Sequence, residues 1–97
     1  MLKTIKILGN VYDVEIVKTV DTQDAMGCVL YSDQLIKLKE DSKGHNVTLL
    51  LEVFHAISWM LGCDLSENQI AAMSEGLFAV MQDNSEFVKL YTTKGEK

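Results

Sequence analysis

Proline is absent from the 97 residues, and cysteine occurs twice, as Cys28 and Cys63. With no proline, no low-complexity tract and no internal repeat, nothing marks a linker between domains, and this length suits one compact core. The expectation is a single domain spanning residues 1–97. The two cysteines lie outside any C-x-x-C spacing and beside no cationic cluster that would make a reactive thiolate. They read as small buried side chains, reduced in a cytoplasmic setting. Positive charge is also scarce, with 9 Lys and Arg against 14 Asp and Glu and a net charge of −5. That balance disfavours nonspecific attachment to nucleic acid or to an anionic membrane, both of which rest on Lys and Arg meeting phosphates. Long apolar runs are missing as well. The most apolar stretch, around Val47 to Leu61, is broken by Thr48, Glu52, His55 and Ser58, so neither a signal peptide nor a transmembrane helix is expected.

What is present is an ordinary globular composition, 47% hydrophobic and 24% charged, which argues for a folded chain. Lys3 to Leu8 and Val11 to Val17 alternate apolar and polar residues around Gly9-Asn10, the pattern of a β-hairpin. Thr19 to Gly27 reads as a polar loop. Cys28 to Tyr31 and Gln34 to Lys39 suit two further strands around a Ser32-Asp33 turn, with a short helix over the second an open alternative. After the hydrophilic connector Glu40 to Gly44 the apolar period changes to that of a helix. Asn46 stands as a candidate N-cap, a helix is expected over about Val47 to Leu61, and Gly62 is its terminator. Ser66 to Gln69 has capping-box spacing ahead of a second helix from about Glu67 to Gln82. Ser85 stands as a candidate cap ahead of one or two further turns over Glu86 to Tyr91, and Thr92 to Lys97 suits a frayed end. Strands followed by helices give an α+β fold: a small antiparallel sheet, the N-terminal hairpin plus further strands, then two packed helices and a short C-terminal one.

Chemistry concentrates on the first helix. At 100° per residue Thr48, Leu51, Glu52, His55, Ser58 and Trp59 form one stripe, and the rest of the helix is so apolar that Glu52 and His55 are expected to be partly buried. A buried carboxylate or imidazole costs several kcal/mol unless partnered. These two must therefore pair, face a cleft, bind a metal or meet a partner. The string Leu51-Glu52-Val53-Phe54-His55 has the form of the zinc-peptidase motif H-E-x-x-H with its first His replaced by Leu. In the intact motif two imidazoles at i and i+4 hold one Zn²⁺ and the Glu between them activates the bound water. Trp59, Met60, Met73 and Met81 read more simply as core packing.

In its wider context, Thr48 to Ile57 resembles the T-L-L-H-E-x-x-H-A-I helix of small zincin-like proteins common in bacteriophages and prophages. In zincins of the gluzincin type the third ligand is a Glu on the following helix, and the resemblance assigns that place to Glu75, 20 residues after His55. The small neighbours Ala71, Ala72, Gly76 and Ala79 would let the second helix approach closely. By this resemblance His55 and Glu75 are would-be ligands and Glu52 a would-be general base, while Leu51 cannot ligate. His45 and Cys63 flank the helix too far along its axis to replace it.

The implied reading is a zincin-like domain without its zinc, encoded by a phage or mobile element and acting by binding a protein partner. Two alternatives stay open: a zinc-dependent metallopeptidase or hydrolase with a noncanonical ligand set, and a structural or assembly protein of a virion.

Overall fold

A computed structural model describes residues 2–20, 26–40 and 45–93. It has the α+β order expected: strands β1 (Thr4–Ile7), β2 (Asn10–Val17), β3 (Gly27–Leu30) and β4 (Leu35–Lys39), then helices α1 (His45–Met60), α2 (Glu67–Asp83) and α3 (Ser85–Thr92). Among the described residues no helix is long and apolar enough to cross a membrane. The connector over 41–44, most of the polar loop before β3 and the tail from 94 lie outside the described residues.

The alternation along the first hairpin produces one buried face. Tyr12 and Val14 are buried while Val11, Asp13 and Glu15 are exposed, because successive side chains leave a strand on opposite sides. The turn sits one residue earlier than its sequence suggests. Ile7 pairs with Asn10, so the two central residues are Leu8 and Gly9, with φ of 48° and 85°. A two-residue hairpin whose strands keep their twist needs positive φ at both central positions. Gly9 meets that demand freely and Leu8 does not.

The strand order is β1-β2-β4-β3. Both hairpins are antiparallel as expected, whereas the central pair is parallel, running from Asp13 opposite Leu35 to Val17 opposite Lys39. The sheet is therefore mixed. The chain leaves β2, returns as β3 on the far edge, and turns back through Tyr31–Gln34 so that β4 fills the place between. Alternation reveals that a segment is a strand but carries no information about its neighbour's direction.

Helix α1 covers the sheet. Ile36 and Leu38 are fully buried beneath it with Ile7, Tyr12 and Val14, and Leu49 and Ala56 of α1 pack into the same core. Val20 is buried as well, although its surroundings in the sequence are polar. α1 starts two residues before the expected point, which puts Asn46 in its first turn rather than at the cap. The His45 ring Nε2 lies 2.8 Å from the carbonyl oxygen of Lys39. Its end is as expected: Gly62 takes φ 68°, its N–H donates to Trp59 O, and the Cys63 N–H donates to Ser58 O, a paired closure of the last carbonyls. Cys63 itself is exposed and Cys28 partly buried, with no disulfide between them, so the expectation of two buried thiols fails for Cys63.

α2 packs on α1 through Ile70 and Ser74, both buried. Ala72, Gly76 and Ala79 are exposed and face away, so of the small residues expected at the helix contact Ala71 alone is turned inward. Met73 is likewise exposed, and Trp59, 59% exposed, lies flat on Tyr31 with ring centres 4.5 Å apart instead of entering the core. α3 follows after Asn84 and buries none of its residues.

Candidate functional site

A cleft of about 640 Å³ opens between α1, α2 and the edge strand β3. Helical spacing delivers its α1 wall, since Val47, Thr48, Leu51, Glu52 and His55 share one side of the helix. The α2 wall is Glu67, Ala71, Ser74 and Glu75. Met26 through Val29, with Tyr31, close the third side.

Of the carboxylates in the cleft Glu52 is the most buried, only 4% exposed, beside the fully buried Ser74. Glu52 reaches that depth because residue 27 is glycine. A Cβ there would stand 3.2 Å from Glu52 Oε2, 3.0 Å from Thr48 Cγ2 and 3.0 Å from the Lys37 carbonyl oxygen. Among the described residues no hydrogen bond or ion pair reaches the Glu52 carboxylate. Burial, reinforced by the negative charge of Glu67, pushes its pKa up from 4.5 to about 7. Burial and the nearby Glu52 also raise Tyr31, whose hydroxyl donates to the His55 carbonyl oxygen at 3.5 Å.

His55 meets a different carboxylate from the one expected. Its Nε2 lies 3.3 Å from Glu67 Oε2, while Glu75 lines the same cleft further along α2. The placement of Glu67 follows from the capping box, which fixes the first residue of α2. Ser66 Oγ accepts from the Gln69 N–H at 3.1 Å, and Gln69 Oε1 accepts from the Ser66 N–H at 2.8 Å. In the sequence Glu67 is legible as a helix-start residue, and its place 12 residues after His55 is the signal that was available. Its carboxylate is 82% exposed, so the pair contributes little to stability.

The zinc implied by the resemblance does not fit these residues. Leu51, four residues before His55, presents hydrocarbon to the cleft. Among the described residues no three His, Cys, Asp or Glu side chains gather closely enough to hold a metal ion. A catalytic zinc normally has three protein ligands, and here His55 and Glu67 provide two. His45 and Cys63 do not line the cleft. The arrangement amounts to a half-apolar, acidic cleft with a buried carboxyl at its base.

No known protein family, curated protein or solved structure shows significant similarity to the chain.

Proposed function

We propose that the chain is a zincin-like domain without a catalytic metal, encoded by a phage or mobile element, that acts by binding another macromolecule and changing what that partner does. The observation that supports this most directly is Leu51, which lines the cleft one helical turn before His55 where the resemblance calls for an imidazole. The competing reading, a zinc hydrolase with an unusual ligand set, draws on the close approach of His55 to Glu67 and on the raised pKa of Glu52, which would suit a general base.

Metal content and peptide hydrolysis of untagged protein purified without chelators separate the two. Protein with no bound zinc and no chelator-sensitive hydrolysis is the expected result, and one zinc per chain with hydrolysis would overturn the reading. The resemblance has its own check in Leu51→His. If the helix is a zincin helix, this change places two imidazoles at i and i+4 with Glu67 beside them, and the variant gains stoichiometric zinc. Glu67→Ala in the same background then removes it. A folded Leu51→His protein without zinc affinity would sink the resemblance.

A further inference from the structure

The cleft is electrostatically incomplete. Among the described residues three carboxylates and no lysine line it, and the deepest of the three is buried without a donor. A carboxyl group in that position is costly unless something supplies hydrogen bonds or positive charge. Polar groups occupy the base and one rim, while Met26, Val29, Val47, Leu51 and Ala71 make the remaining walls apolar. A bare metal ion would leave those walls and most of the volume unused. An ammonium or guanidinium group on a methylene stem matches both parts, as basic side chains bury their stems on apolar surface and keep the charged end on polar groups.

We propose that this cleft receives one basic side chain, lysine or arginine, of a protein partner, with the charged end on Glu52 and the stem along Val47, Leu51 and Ala71. The proposal rests on the reading of the chain as a binding protein and names the chemistry of what it binds. Leu51 then has a positive role, because an imidazole there would take the place of the stem and compete for the carboxylate. Binding draws a proton from Glu52, so it strengthens with pH. Among the described residues the other titratable groups facing the cleft are His55 on α1, Glu67 and Glu75 on α2, and Cys28 and Tyr31 on the β3 side. With a carboxyl near 7 the ionised fraction rises about tenfold from pH 6 to pH 8, and affinity follows it.

The test titrates the ¹⁵N-labelled full chain with Nα-acetyl-lysine N-methylamide, its arginine counterpart and the uncharged norleucine counterpart. At pH 8 the basic probes shift the amides of Gly27, Glu52 and Ala71, norleucine leaves them in place, and Glu52→Gln weakens the basic probes at least tenfold. Equal binding of norleucine, or undiminished binding to Glu52→Gln, overturns the proposal. If Glu52→Gln does not fold, Ala71→Met narrows the cleft without altering charge and must weaken the same probes, and a variant that binds them as well as the wild type overturns the proposal. Zinc-free, non-hydrolysing protein that ignores lysine and arginine removes this proposal and leaves the functional reading standing. Stoichiometric zinc with hydrolysis removes both.

Discussion

The carboxylate of Glu52 rests against the bare α-carbon of Gly27, with Oε2 3.2 Å from where a Cβ would be. One residue without a side chain on an edge strand thus sets how deeply an acidic group on the facing helix is buried.

Gly27→Ala is therefore expected to destabilise the fold by about 1–3 kcal/mol, the usual range for overpacking. The Thr48 methyl and the Lys37 carbonyl, both at 3.0 Å, resist the new methyl whether or not Glu52 moves, and the carbonyl belongs to the neighbouring strand. Urea unfolding of the two proteins measures the difference. An unchanged midpoint would mean that the strand is not held so close to α1.

The raised pKa of Glu52 makes stability depend on pH in a defined direction. In the folded protein this group keeps its proton up to about pH 7, whereas the unfolded chain releases it near 4.5. Between those values the folded state binds more protons, so stability falls as pH rises through that window, by a total on the order of 3 kcal/mol. The relief is complete below the unfolded pKa and lost above the folded one. Glu52→Gln has no such slope and is expected to be more stable than the wild type at pH 8. Urea midpoints of both proteins at pH 5 and pH 8 test it, and parallel pH profiles would show that Glu52 titrates normally.

Leu8→Asn is expected to stabilise the protein by about 1 kcal/mol, since asparagine tolerates the left-handed conformation that leucine resists. Leu8 is exposed, so little packing is lost. A thermal melt should rise by roughly 4–8 °C. No rise would mean that the strain at residue 8 is relieved by other means.

How far the sequence reveals this molecule differs by level. The strands and helices were legible because their periods of 2 and 3.6 are written directly in the order of Tyr12, Val14, Ile36 and Leu38 and of the α1 residues. Glu52 and His55 were legible as a pair for the same reason, since a helix fixes the relation of i to i+3. Relations between elements were not. Glu67 reads as the start of α2, and its approach to His55 depends on how the chain turns between Gly62 and Ser66. The closeness of Gly27 to Glu52 depends on β3 being an edge strand under α1, which follows from a parallel β2–β4 pair that no local pattern encodes. The inward turn of Ala71 and outward turn of Gly76 depend on which face of α2 meets α1.

That parallel pair also governs the order in which the fold can assemble. Each hairpin closes over a turn of two to four residues, an event of microseconds. The β2–β4 ladder joins residues 22 apart along the chain, Asp13 with Leu35, and its hydrogen bonds reward nothing until that long loop has closed. Of the sheet's three pairings this one therefore carries the largest loop-closure cost. α1 lies across strands of both hairpins, so the helix that carries Glu52 and His55 has its full backing only once the two have met, although the first hairpin lends the cleft no wall.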